Sequence, residues 1–478
     1  MHFFTQSTKM VILFEWGNCS LNYDRFYMQH YKQYKQGVRW NAVEAISIQG
    51  LLALNQLLLF RVLPLEFYGL TGVIFSLIYV ALPIINLGFD ASLPTFIKKY
   101  ITNKRTFLSL LMPQIYSQAG IILIVATLYT ISLSMANTAW FSSIHLMHVP
   151  STFFILLTSI IIVESIKKSL RALTHACFLN KQTTFIELSS VALYILLVWG
   201  NYLVHGTLTL WTIFIPLLIE SCLASLGLAI LIKRKTYNEL PSNTKKSEQL
   251  NMTRVYANRF SAYTNQLSMI FFSRNFLIPF LSWQFGLGAI AILKLISELA
   301  IFVLVFIEKL FGTTGGALLA HLKFESLAKK RAAFTLIAQQ LVGVLLAILI
   351  FLAFNGKTIF CLYCGPISNY YLAFLFFFTI IFENIFLLYE RFALIEEKVR
   401  LTILLNLLSA GLCFPLILLL QSSLPLSIVI IALTRIVAFI ILSFIYYRYW
   451  KLPQRIRIIT PFVVTVFVVS LVLSYALG

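Results

Sequence analysis

Three basic residues stand where a chain rarely puts charge. Arg274 lies in "SMIFFSRNFLIPFLSW", Lys294 in "AILKLISEL" and Arg435 in "IALTRIVAF", each otherwise apolar. Holding a charge at the centre of a bilayer costs about 2.5–3.5 kcal/mol on insertion scales. Such a residue therefore faces protein or a watery cavity, and cations there suit the gripping of an anion. Arginine can hold phosphate oxygens two at a time. Arg274 and Lys294 flank an outer turn near Gln284, each about 15 Å of helix away from it. Arg435 enters its own segment to a similar depth. Three cations at one level read as a cationic patch, with Asn275 beside Arg274 as a further polar contact. A plainer alternative is an internal pair, because Glu298 follows Lys294 by one helical turn and shares its face. That leaves Arg274 and Arg435 without a local partner. Glu220 and Glu383 are distant candidates, and with Glu298 they are candidates for carrying a proton. In the first half the corresponding polar residues are Glu44, Gln49, Asn55 and Gln56. Gln49 and Gln56 share one helix face, and Asn55 lines up with Glu44 instead. These amides are read as cavity contacts or, equally, as helix-to-helix bonds.

The elements that must position these residues are membrane spans. Of 478 residues, 59% are hydrophobic and 11% charged, far below the roughly 25% charged of soluble domains. Apolar runs long enough to cross a bilayer are read at 40–61, 67–89, 107–134, 145–165, 185–205, 209–233, 259–282, 286–312, 333–355, 368–390, 400–421, 424–447 and 459–477. Lys and Arg gather in alternate connections: the N-terminal tail, Lys98–Arg105, Lys167–Lys181, Lys233–Arg259, Lys323–Arg331, Arg391–Arg400 and Arg448–Arg457. Cytoplasmic loops retain such residues, so those connections and the N-terminus are assigned to the cytoplasm. The fold class is then an all-α membrane protein: about 12 core helices in two six-helix lobes, related as a parallel repeat, plus a thirteenth, C-terminal span. Its parts are a tail 1–39, an N-lobe 40–233, a linker 234–258, a C-lobe 259–447 and an appendage 448–478. "EFYGLTG" opening span 2 and "WQFGLGA" opening span 8 carry a trace of the repeat.

Several functions are disfavoured. The net charge of +20 is accounted for by topology, which leaves no basic stripe for nucleic acid. Outer loops are short and carry no HExxH, no carboxylate pair and no acid to orient His145 beside Ser142, so the chain reads as no enzyme. Cys361 and Cys364 in "CLYCGP" lack a second ligand pair for zinc; no metal or cofactor is expected. The spans contain Pro83, Pro113, Pro216, Pro279 and Pro415. Pro279, one turn outward of Arg274, is the best hinge candidate among them.

"RVLPLEFYGLTGVIFSLIYVALPIINLGFDASLPTFIKKY", Arg61 to Tyr100, resembles the opening of the polysaccharide-exporter family through Glu66, Tyr68, Gly69, Leu87 and Gly88, followed by Lys98 and Lys99. That family holds O-antigen-unit flippases and shares a superfamily with lipid II flippases and multidrug extruders. The resemblance covers 40–450 in topology, and a lone thirteenth span departs from it. It implies a V-shaped two-lobe flippase of the cell inner membrane, carrying an oligosaccharide on undecaprenyl pyrophosphate by alternating access. It is expected to be a monomer among membrane lipids, with polysaccharide assembly proteins as further partners. No family motif fixes Arg274, Lys294 or Arg435. The alternatives are a lipid II-type flippase and a cation-coupled multidrug antiporter; the latter would want an anionic cavity.

Overall fold

In lipid no water bonds the backbone, so a spanning segment must satisfy its own N–H and C=O groups as helix. The structure, a computed structural model, describes residues 39–90, 92–93, 112–136, 152–177, 179–239, 252–307 and 399–450, with isolated residues and short pieces elsewhere. Every regular element among them is helical. Seven of these helices are long and apolar enough to cross a membrane. The chain is an all-α, multi-pass membrane protein.

In the first half, α1 (Arg39–Val62) is followed by α2 (Leu65–Asn86), α3 (Met112–Ala136), α4 (Phe153–Ala176), α5 (Asn180–His205) and α6 (Leu210–Glu239). The second half opens with α7 (Met252–Ile270), α8 (Arg274–Phe285) and α9 (Leu287–Ile307), and closes with α10 (Arg400–Leu419) and α11 (Leu424–Trp450). Spans 9, 10 and 13 of the sequence reading, and the tail before Arg39, lie mostly or wholly outside the described residues.

Within the first half α6 packs on α4 and α5, and α4 on α2 and α3. In the second half α10 packs on α7 and α11. The halves meet where α2 lies along α7, α8 and α9, and where α1 lies along α9. Close approach of α2 to α9 depends on two glycines. A Cβ on Gly69 would sit 2.4 Å from the Leu287 carbonyl oxygen, and one on Gly72 would sit 2.3 Å from Lys294 Cδ.

Three elements differ from the sequence reading. Span 7 is two helices: α7 ends at Ile270, Ser273 turns extended (φ −68°, ψ 147°), and α8 begins at Arg274. Phe272 and Ser273 donate their N–H groups three residues back, and the Ser273 hydroxyl also bonds the Ile270 carbonyl at 2.7 Å. These bonds tighten and end the helix. The interruption therefore precedes Arg274, whereas Pro279 lies inside α8. Span 4, read at 145–165, is a helix running to Ala176. Its first turns of charge, Lys167 and Arg171, belong to the helix and not to a loop. Span 1 contains a π turn, Ala45–Gln49, immediately after Glu44. A π turn inserts a residue and shifts helical phase by about 100°, which breaks the expected alignment of Glu44 with Asn55.

Candidate functional site

The first half holds a carboxylate-rich interior. On α4, Glu164 and Lys167 are one turn apart and both buried, and α6 brings Glu220 against them. Lys167 Nζ lies 2.6 Å from Glu164 Oε1 and 2.9 Å from Glu220 Oε2. Ser190 on α5 donates to Glu220 Oε1 at 3.1 Å. Ser221 Oγ is within hydrogen-bond reach of both carboxylates, and its single proton serves one of them at a time. Counted at their formal charges, two carboxylates and one ammonium sum to one net negative charge. A neighbouring pair, Arg171 with Glu187, is charge-balanced. Glu44 is 1% exposed and faces His175, whose Nε2 is 3.9 Å away, while His175 Nδ1 lies 2.9 Å from Asn180 Oδ1. Glu164, Lys167, Glu187 and Arg171 are not among the residues that sequence reasoning singled out. The available signal was Glu164 and Lys167 at a spacing that places them on one helix face.

The second half is arranged differently. Arg274, at the first position of α8, pairs with Glu298 of α9 at 2.9 Å. Glu298, the alternative partner proposed for Lys294, thus pairs with Arg274 instead. Lys294, 1% exposed, turns to the first half: its Nζ lies 3.0 Å from Thr71 Oγ1 and 3.5 Å from the Tyr68 carbonyl on α2. It also sits 3.9 Å from the centre of the Tyr68 ring, within cation–π range. Arg435, also 1% exposed, donates to Asn406 Oδ1 at 2.9 Å and lies 4.4 Å from the Phe272 ring centre. Asn406 in turn donates to Ser268 Oγ at 3.2 Å. The three cations are therefore directed to three different helices, and Arg274 and Arg435 both lie at the interruption of span 7, the first as the opening residue of α8 and the second over the Phe272 ring.

The remaining candidates are placed as follows. Asn275 is the second residue of α8 and half-buried. Asn55 is buried and accepts the Trp199 indole N–H at 2.9 Å, a bond between α1 and α5 within the first half. Gln56 is buried and Gln49, at the end of the π turn, is half-buried. Glu383 lies outside the described residues. No group of three or more His, Cys, Asp or Glu that could hold a metal occurs among the described residues.

No family model and no curated protein sequence matches the chain. Solved structures do match over nearly its whole length. A eukaryotic MATE transporter is 13% identical, with 91% of this chain and 100% of that one covered at a TM-score of 0.64. The Vibrio cholerae MATE transporter VcmN, as a point variant, is 13% identical over 90% of this chain and 98% of its own, at 0.62. An outward-facing multidrug resistance MATE family transporter of the MOP superfamily is 12% identical over 90% and 97%, at 0.58. The chain has the MATE transporter fold. Its solved neighbours are transporters and not enzymes, and MATE transporters sit in the superfamily to which the resemblance at Arg61–Tyr100 pointed. In this fold the carboxylate cluster belongs to the first half, and the cations Arg274, Lys294 and Arg435 to the second.

Proposed function

We propose that the chain is a cation-coupled exporter of the multidrug type, working by alternating access in the cell inner membrane with its N-terminus in the cytoplasm. The Glu164–Lys167–Glu220 cluster carries this reading. One uncompensated negative charge in a low-dielectric interior is expensive, and a proton or small cation that joins it relieves the cost. Binding there while the first half faces one side, and release on the other, couples ion flow to rearrangement of the lobes. The multidrug role of a solved neighbour supports the same substrate class.

A second reading is the flipping of a polyprenyl-pyrophosphate-linked oligosaccharide, with Arg274, Lys294, Arg435 and Asn275 gripping the pyrophosphate and Gln49, Asn55 and Gln56 meeting sugar hydroxyls. The two arginines bordering the break in span 7 favour it. Against it, Arg274 is engaged by Glu298 at 2.9 Å, and that pair would have to part before phosphate could bind.

Purified protein reconstituted in vesicles tests both readings at once. A proton gradient is expected to drive uptake of a fluorescent organic cation, and Glu220→Gln is expected to abolish it. Reorientation of a lipid-linked oligosaccharide without any cation transport would overturn the exporter reading in favour of the flippase.

A further inference from the structure

The end of α2 shows how the two halves are held at their basic-loop side. The helix stops at Asn86, and Leu87 (φ 46°) and Gly88 (φ 72°) turn left-handed. The last carbonyls of a helix have no partner within it, and cations are favoured there. Gln118 of α3 donates to the Asn86 carbonyl at 3.0 Å. The Leu87 carbonyl accepts from Arg259 Nε at 3.1 Å, and Arg259 belongs to α7 in the other half. The same guanidinium donates to the Gln118 side-chain oxygen and lies 5.4 Å from the Phe89 ring centre. Backbones touch here too: a Cβ on Gly88 would be 2.5 Å from the Arg259 carbonyl oxygen and 2.6 Å from Tyr263 N. Two turns along α7, Gln266 donates to Asp90 Oδ1 at 3.3 Å, and Asp90 pairs with Lys168 of α4 at 2.9 Å. The end of α2 and the side chain of Gln118 on α3 thus meet α7 directly, and α4 joins them through Asp90.

The chemistry of this seam differs from that of its outer end. There, Gly69 lies directly against the Leu287 backbone, and one side chain, Lys294, supplies the polar contact to α2. The inner seam is made of hydrogen bonds whose donors and acceptors water can replace one for one once the mouth admits it. We infer that Arg259, held by Gln118 and the Leu87 carbonyl, is a clasp that keeps the cytoplasmic mouth between the halves shut and releases when that mouth opens. The inference rests on the alternating-access reading and on the cytoplasmic placement of the basic loops, but its test needs no substrate.

In a variant lacking the six native cysteines, Tyr263→Cys reports on the seam through labelling by a membrane-impermeant maleimide in inside-out vesicles. Arg259→Ala is expected to raise the labelling rate about tenfold, the worth of one charge-assisted bond. Arg259→Lys, which keeps the charge but not the two-acceptor grip, is expected to give a smaller rise. Leu287→Cys, at the outer end of the same interface and read in right-side-out vesicles, is expected to keep its rate. Equal labelling across the Arg259 series, or a parallel rise at both positions as unfolding would give, overturns the clasp. A clasp response together with no transport of either proposed substrate keeps the clasp and discards the proposed function.

Discussion

The two halves bury charge in opposite styles. In the first, Lys167 and Arg171 each meet at least one carboxylate, and the cluster spans α4, α5 and α6. In the second, Lys294 is held by a hydroxyl, a carbonyl and an aromatic face, and Arg435 by an amide and an aromatic face. Arg274 there pairs with Glu298, and that pair is partly open, at 17% and 15% side-chain exposure. The difference teaches what each charge is for. A buried charge with an opposite partner makes its partner dependent on it, whereas one held by neutral groups leaves no orphaned charge when removed.

Lys167→Ala probes the dependent style most strongly. It would leave Glu164 and Glu220 facing one another, with the Ser190 and Ser221 hydroxyls as their remaining hydrogen-bond partners among the contacts described. Breaking a buried ion pair costs about 3–5 kcal/mol, and a loss of that size is expected in thermal unfolding of the detergent-purified protein. Adding Glu164→Gln should recover part of it, because one like charge is then gone. An unchanged midpoint for Lys167→Ala would show that the cluster is not charged as drawn, and the coupling proposal would fall with it.

Span positions were legible because they depend on length and composition alone. The spans at 67–89, 400–421 and 424–447 correspond to helices Leu65–Asn86, Arg400–Leu419 and Leu424–Trp450 within a few residues. What escaped reading was any feature set by side chains bonding backbone or one another. A window of hydropathy ends span 4 at its first charges, yet α4 continues because Lys167 and Arg171 find Glu220 and Glu187 on other helices, α6 and α5. The break before Arg274 follows from the Ser273 hydroxyl competing for the Ile270 carbonyl, a local choice that composition does not reveal. Depth counting placed Arg274 and Lys294 at similar levels, but it could not say which would take Glu298. Level is a property of one helix, whereas partnership depends on how two helices are rotated.

Arg274→Ala addresses the intermediate case. Glu298 would lose its partner but keep some access to solvent, so about 2 kcal/mol is expected, within the range for hydrogen bonds to charged groups. A double-mutant cycle with Glu298→Gln isolates the pair from general packing losses. Strict additivity of the two single changes would mean that the pair carries no coupling, and that Arg274 is available to a ligand after all.

Lys294→Met is expected to have the smallest effect and draws the sharpest line. The stem of Lys294 already lies across Gly72, and its ammonium has no carboxylate within ion-pair distance among the described residues. Replacing a buried ion by an apolar group of similar volume is often neutral or stabilising, and a thioether retains a favourable contact with the Tyr68 ring. The unfolding midpoint should therefore stay within about 1 kcal/mol of the parent. The hydroxyl of Thr71 keeps a partner, since it donates to the Tyr68 carbonyl at 2.7 Å. A loss above about 3 kcal/mol, the scale of a broken buried ion pair, would show that the ammonium holds the halves together. Retained stability with lost transport would show instead that the charge acts on what the protein carries, and the contrast between the halves would then be one of function as well as of packing.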